Sequence, residues 1–381
     1  MTEPSTKCDV LLIGGGHSHV AVLADWAKNG LPAANATLLT PEPTLRYSGM
    51  VPGWISGEYA RDAGLVDLAG LAKAAGARLV LDRCVALDPF ARSVLTQRHG
   101  LLSFDTASVD VGGVGRAARV LGDDPRLIDV RPIDRFVDRL AETLAQHLVR
   151  PLQIAVIGGG AGGFEIAFAL RNAKGRNAGG VTNPPQVTLI TGADGPLPGL
   201  SLSAASRATK EFDAQGMAMI TGDAGFKEGE LCVEGAPIEP PDIIVAAIGS
   251  GAPDWPRAGG LDVDKAGFIM VDRFQRSTSH RNIFAAGDCA ARMDCDVPHS
   301  GVHAVHTGPV LAANLRAVLA GQEPRRSYRP RAASLYLLST GNGSAIASYG
   351  RFAAQGRLAA RLKRWIDKRW LASYASISDR A

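Results

Sequence analysis

The chain has little cysteine, no long apolar run and few aromatic residues, and each shortage removes a class of protein. Its five cysteines, Cys8, Cys84, Cys232, Cys289 and Cys295, are odd in number and lack zinc-like spacing. They build neither a disulfide scaffold nor a metal site, and they point to a reducing compartment. No stretch of 18 apolar residues occurs, so no segment is expected to span a membrane. No charged-then-apolar leader opens the sequence, which goes into a strand after six residues. The expected location is therefore cytoplasmic, with the inner face of the cell membrane as the variant the tail raises below. There is no low-complexity tract, and no nucleic-acid partner is expected.

What is present suits a soluble α/β protein. The 381 residues are enough for two or three domains. Hydrophobic residues at 46% and charged residues at 20% are ordinary, while 44 glycines suit a fold with many tight turns. The net charge of +4 hides an asymmetry: residues 325–381 carry a net +10 and the remainder a net −6. A basic tail on a mildly acidic body is suited to an anionic surface or an acidic protein partner.

Two glycine-rich turns stand 144 residues apart. The first follows Val10-Leu11-Leu12-Ile13 as Gly14-Gly15-Gly16-His17-Ser18-His19. The second follows Ile154-Ala155-Val156-Ile157 as Gly158-Gly159-Gly160-Ala161-Gly162-Gly163, with Glu165 two residues on. In each, an apolar strand breaks into glycines and then a helix, the setting in which G-x-G-x-x-G cradles a pyrophosphate. The first glycine makes the turn, the second lets backbone N–H groups reach phosphate, and the helix N-terminus adds its positive dipole end. Asn282-Ile283-Phe284-Ala285-Ala286-Gly287-Asp288 follows much later.

The remaining elements are read more coarsely. Ser18 to about Asn29 reads as the helix after the first turn, and 36–40 as the next strand. Residues 78–81, 84–87, 93–96, 101–104 and 107–111 read as short strands ending at Gly112-Gly113. Residues 114–131 read as a linker. Pro132 opens an amphipathic helix carrying Ile133, Phe136, Leu140 and Leu144, at the position proline tolerates best. A loop is expected at 174–185, then a strand over 187–190. Asp242–Ile248 is a continuous apolar strand ending in Gly249-Ser250-Gly251.

In order and spacing these motifs resemble the two-dinucleotide-domain flavoproteins of the pyridine nucleotide-disulfide oxidoreductase superfamily, over about residues 8–320. The resemblance implies an α/β fold of two Rossmann-like dinucleotide-binding domains, for FAD and NAD(P), the second inserted in the first. Their expected bounds are 7–115 and 264–325 for FAD and 132–260 for NAD(P), with a C-terminal region of hairpin and amphipathic helix over 326–381. It also implies FAD as cofactor and NAD(P)H as electron donor, with Gly14 and Gly16 at the pyrophosphate.

His17 and Ser18 lie where the chain crosses the phosphates, and Ser18 either caps the helix or bonds a phosphate. His19 replaces the glycine or alanine that lets helix and strand pack closely. It either alters that packing, reaches the cofactor, or is satisfied by backbone. Relatives usually end the second strand on an acidic ribose ligand. Here that strand ends Thr40-Pro41-Glu42, so the ribose contact falls to Thr40 and Pro41 or to Glu42.

The loop Arg46–Gly53, with Gly49, is placed where relatives bring backbone beneath the isoalloxazine ring; the alternative is a surface turn. Val85 takes the place that meets adenine, and Gly112 closes the meander. Gly287 and Asp288 match the pair that meets the ribityl chain. Gly301 and Val302 begin a helix aimed at the pyrimidine end of the flavin, where its positive end stabilises reduced-ring charge. His303 and His306 are either proton donors there or surface residues. In the second unit Gly158, Gly160, Gly163, Glu165 and Gly249 match the nucleotide site, with Glu165 near the nicotinamide amide. The strand ending Thr191-Gly192 carries neither an acid for a 2′-hydroxyl nor an arginine for a 2′-phosphate.

Disulfide reductases of the superfamily carry C-x-x-x-x-C or C-x-x-C, and neither occurs here. Electrons are therefore expected to leave the flavin directly, for a quinone or another small acceptor. That resembles the type II NADH dehydrogenase and sulfide:quinone reductase branch. Sulfide oxidation through Cys289 or Cys295 is one alternative. Gly14–Val20, Tyr47–Met50 and Gly301–Val305 further resemble the flavoprotein family found alone or fused ahead of selenide, water dikinase. A flavin-bearing partner of a selenium-pathway enzyme is the other alternative.

In the tail, 335–340 and 344–349 read as a hairpin around Gly341-Asn342-Gly343. Gly356–Leu371 reads as a helix with Leu358, Leu362, Trp365, Ile366 and Trp370 on one side and Arg357, Arg361, Arg364 and Lys368 on another. This pattern fits peripheral membrane contact through 356–371. It fits equally a helix whose apolar face packs on the protein or on a second subunit.

Overall fold

The run Val10–Ile13 has no polar side chain to offer water, so a strand made of it must be covered on both faces. In the computed structural model, which describes residues 8–145, 150–173, 184–331 and 333–378, these four residues are at most 1% exposed. Their strand, Cys8–Ile13, lies parallel between Ala36–Thr40 and Leu101–Val109. Arg78–Leu81 extends the sheet beyond Ala36–Thr40. Ile283–Ala285 returns from far along the chain to pair with the end of Leu101–Val109. The start of Leu101–Val109 turns antiparallel to Ser93–Thr96, which pairs with Cys84–Asp88 as a meander.

The second sheet is wholly parallel, in the order Ala218–Ile220, Gln186–Ile190, Gln153–Ile157, Ile243–Ala246 and Leu127–Asp129. Leu127–Asp129 corrects the sequence reading, which made 114–131 a linker. That stretch also holds a helix, Ala117–Leu121. Three residues are too few to show a period, and only pairing with Ile244–Ala246 makes the segment a strand. The helix Ile133–Leu144 does start after Pro132 and buries Phe136, Val137 and Leu140. Of the loop expected at 174–185, residues 174–183 lie outside the described residues.

The tail differs from expectation in two ways. The hairpin Leu335–Ser339 and Ala345–Tyr349 gains a third antiparallel strand, Phe352–Gly356. The terminal helix runs Arg357–Ser378, seven residues beyond the expected end, and buries only part of its apolar side. Leu358, Leu362 and Trp365 are 76%, 40% and 58% exposed, whereas Ala360 and Asp367 are buried. Lys363 and Asp367, four residues apart, turn inward as an ion pair, which a hydrophobic pattern cannot reveal. Further along, Trp370, Leu371, Tyr374 and Ile377 pack on the core of the first sheet, while Leu338 and Ile346 enter the core of the second. The tail thus bridges both halves.

Candidate active site

The first glycine turn is tight for a stated reason. Gly14 has φ +95°, and a Cβ there would stand 2.3 Å from the carbonyl oxygen of Asp110. A Cβ on Gly16 would meet the Asp110 carboxylate at 2.3 Å. That carboxylate, fully buried, accepts from the backbone N–H groups of Ser18 (2.7 Å) and His19 (3.0 Å), so it caps the first helix, His17–Asn29. Burial pushes its pKa up to about 7, against those two hydrogen bonds.

His19 is also fully buried, with Nδ1 2.6 Å from the Gly14 carbonyl and Nε2 2.8 Å from Ser108 Oγ. Burial lowers its pKa to about 4, so the ring is neutral at pH 7. A carbonyl only accepts, so Nδ1 carries the proton and Nε2 accepts from the serine. Ser18 Oγ donates to the Ala304 carbonyl at 2.9 Å, so it neither caps its own helix nor faces the groove. Ser18, expected to cap its helix or bond a phosphate, is given to packing because the helix must seat against Gly301–Leu319, and His19 takes the backbone-satisfied alternative the sequence left open.

His17 does face the groove. Burial lowers its pKa to about 4, although Asp288 opposes the shift, and its Nε2 is buried without a protein partner. The groove has a volume of about 1230 Å³, and its walls include Gly14, Gly16, His17, Thr40, Pro41 and Glu42. Val85, Gly112, Asp288 and Gly301 belong to it as well. It exceeds the roughly 300–1,000 Å³ of an ordinary small-molecule pocket, as an extended dinucleotide requires. Backbone glycine at the turn, a helix N-terminus and an orphaned His17 nitrogen fit the phosphates and ring system of FAD. Gly287, with φ +70°, packs on Asp110 Oδ1, which a Cβ would approach to 2.4 Å. Asp288 accepts from Arg131 Nη2 at 2.8 Å.

In the second turn Gly158 has φ +132°, and a Cβ there would lie 2.3 Å from the Ala247 carbonyl. A Cβ on Gly163 would fall 1.9 Å from the Gly158 carbonyl. Gly160 and Gly249 have nothing within 4 Å of a Cβ, so backbone there stays open to a ligand. The glycines thus divide into turn, packing and approach, as nucleotide binding demands.

Glu165, on the helix Ala161–Arg171, opens onto a second cavity of about 1340 Å³ that shares Ser48, Arg131, Ile133 and Gly301 with the groove. Gly49 and Val302 also line it. The tail supplies its other wall. Glu165 Oε1 accepts from the Ser339 N–H at 2.8 Å and lies 3.6 Å from Lys363 Nζ. Lys363 donates to the Gly49 carbonyl at 3.2 Å and lies 3.5 Å from Asp367 Oδ2, while Tyr47 Oη donates to Asp367 Oδ1 at 3.1 Å. Burial raises the pKa of both carboxyls. Burial works against charge on Lys363, but the two carboxyls overcome it and hold its pKa above the ordinary value. Two carboxyls thus share one buried ammonium. Trp370 stacks on Tyr47 at 4.6 Å and reaches the His17 ring at 5.4 Å, so the last helix touches the first glycine turn.

Asp110, Arg131, Lys363 and Asp367 were not foreseen. Asp110 leaves a trace in the sequence, an acid ending an apolar strand beside Gly112; Arg131 and the two tail residues leave none outside the fold. Cys289 is fully buried, its Sγ held to the Ala286 carbonyl at 3.2 Å, and burial pushes the thiol up. Cys295 is a free, partly exposed thiol, so no disulfide joins the two. A buried thiol of raised pKa is a poor nucleophile, which counts against Cys289 in a sulfide mechanism.

The family model described as pyridine nucleotide-disulphide oxidoreductase matches residues 8–309. The sulfide:quinone oxidoreductase of Aquifex aeolicus is similar in fold, with a TM-score of 0.77 at 17% identity over 97% of this chain and 92% of that one. The covalent complex of putidaredoxin reductase with putidaredoxin matches with a TM-score of 0.73 at 19% identity, covering 90% of this chain and 81% of that chain. The water-forming NADH oxidase from Lactobacillus brevis matches with a TM-score of 0.70 at 20% identity, over 90% and 75%. No curated protein matches in sequence.

Proposed function

Because the chain belongs to the pyridine nucleotide-disulphide oxidoreductase family, with FAD and NAD(P)H as its cofactors, we propose that it passes electrons from NAD(P)H to a quinone or similarly small acceptor. The reading makes it an oxidoreductase of the type II NADH dehydrogenase kind, working without a redox dithiol. One observation carries it: the second cavity meets the cofactor groove at Gly301 and is walled by the Glu165–Lys363–Asp367 cluster. FAD, when bound, supplies two-electron chemistry between donor and acceptor. The protein's part is to hold each partner and to move protons. Gly160 and the N-terminus of Ala161–Arg171 receive the nucleotide phosphates, and Glu165 lines the same cavity as Ala161 and Gly162. Lys363, held charged by its two carboxyls, presents a cation to an acceptor oxygen.

The arginines at the rim of this cavity support a second reading, a flavoprotein docking an acidic partner such as a selenium-pathway enzyme. Arg325, Arg326, Arg329, Arg331 and Arg369 border the cavity, and all are exposed. Exposed Leu358 and Trp365, with Phe352 at 68%, also support peripheral membrane contact. Among the described residues no helix is long and apolar enough to cross a membrane.

Anaerobic titration of flavin-loaded protein decides between these readings. Bleaching by NADH or NADPH, then recovery on adding a soluble quinone, is the expected result. Bleaching by neither nucleotide would overturn it and leave the partner reading ahead. Pelleting with anionic vesicles, reduced by Trp365→Ser, tests the membrane contact.

A further inference from the structure

Between the groove and the acceptor cavity lies a third, much smaller hollow of about 20 Å³, which the proposed reaction has not yet used. It shares Asp288 with the groove and His299, Ser300 and Tyr328 with the acceptor cavity, so it touches both. Its walls are polar and incompletely satisfied. Gln275 is 3% exposed, and its Nε2 has no partner; Ser300 Oγ is also buried and unpartnered. Gln275 is further held at φ +67°, a left-handed backbone that a non-glycine residue adopts at a cost. A strained residue aiming an orphaned donor into a cavity is costly unless something there accepts from it. The hollow is large enough for one water and too small for an organic ligand.

The same wall carries a close acid–base pair. His303 Nδ1 lies 2.6 Å from Tyr328 Oη, both side chains buried at 7% and 8% exposure. The pair is built in. The Tyr328 N–H donates to the Arg273 carbonyl at 3.1 Å, and the Tyr328 carbonyl accepts from Arg292 Nη1 at 2.9 Å. Thr307 Oγ1 donates to the His303 carbonyl at 2.8 Å.

We propose that Gln275 and Ser300 hold a water in this hollow, and that His303 and Tyr328 relay protons through it into the acceptor cavity. The inference rests on the proposed transfer to a quinone-like acceptor. NAD(P)H gives up two electrons and one proton, and a quinone takes two electrons and two protons; the second proton comes from solvent. Tyr328 hands its hydroxyl proton toward the acceptor and is refilled from His303, which is refilled through the water. His303 and Tyr328 act by transfer and touch no substrate carbon, so they are relay residues.

Two variants test this in the flavin-loaded full chain, reduced photochemically so that no nucleotide is involved. Tyr328→Phe removes the hydroxyl and keeps the ring, and His303→Gln keeps a polar group without relaying protons. Reoxidation by a soluble quinone should slow about tenfold or more in both, with the solvent deuterium effect altered. Reoxidation by ferricyanide, which accepts electrons and no proton, should keep the wild-type rate and show that both variants fold and hold flavin. Equal slowing with both oxidants, or no slowing with either, overturns the relay. If wild-type protein does not react with quinone, the acceptor reading has failed; dioxygen, which also takes up protons, then replaces quinone in the same comparison. A high-resolution crystal structure should show a water between Gln275 and Ser300, and a dry hollow would contradict the assignment.

Discussion

The two glycine turns solve one backbone problem in opposite ways. In both, a helix must seat against the carbonyl that ends the preceding strand. The second turn does it by subtraction: Gly163 leaves the Gly158 carbonyl room that even a methyl group would fill. The first does it by addition, setting the His19 imidazole against the Gly14 carbonyl and the Asp110 carboxylate against two helix N–H groups. At the position matching Asp110 the second unit has Ala247, and its helix start has no side-chain cap. A turn braced by two buried side chains suits a cofactor that stays. An unbraced turn with open Gly160 suits a nucleotide that leaves at each turnover.

The contrast can be broken most sharply at Gly163. Gly163→Ala should cost about 3 kcal/mol in urea unfolding, because backbone on both sides must move. A loss under 0.5 kcal/mol (about the scatter of surface changes) would deny the close approach. His19→Ala should cost about 2 kcal/mol, since Ser108 Oγ and the Gly14 carbonyl lose a buried partner. His19→Gly, which imitates the second turn, should recover none of it.

Asp110→Asn sharpens the comparison through pH. A carboxyl whose folded pKa stands above its unfolded value of 3.8 stabilises the fold while protonated. That contribution is whole below about pH 4 and is lost as pH rises through about 7. Between pH 6 and pH 8 the wild-type apoprotein should therefore lose about 1.4 kcal/mol, the equivalent of one pKa unit, relative to Asp110→Asn. Parallel stability curves would place the Asp110 proton elsewhere. The smallest effect belongs to Trp370→Ala, which removes the stack on Tyr47 and should cost about 1 kcal/mol beyond the lost burial. A double-mutant cycle with Tyr47 measures that coupling.

Much of this was legible because it depends on short-range constraint. A glycine where a Cβ would strike a carbonyl, as at Gly14 and Gly158, is written in the sequence as an apolar strand followed by glycines. The parallel sheets follow from the same continuous apolar runs. What stayed hidden was set by partners distant in the chain. Leu127–Asp129 is a strand only because Ile244–Ala246 pairs with it. Lys363 and Asp367 belong to neither face of the helix pattern, and only Glu165 and Tyr47 brought against them give them a role. Ser18 reads as a cap, yet its hydroxyl is claimed by Ala304, 286 residues away.

The central claim is that the groove between the first glycine turn and Asp288 is a FAD site. Its most direct test is the absorbance and flavin content of purified protein, with FAD added back to any colourless fraction. The account predicts one FAD per chain, with uptake abolished by Gly16→Val, whose side chain would meet the Asp110 carboxylate and intrude on the groove. Protein that is colourless and does not take up FAD when it is supplied would contradict it.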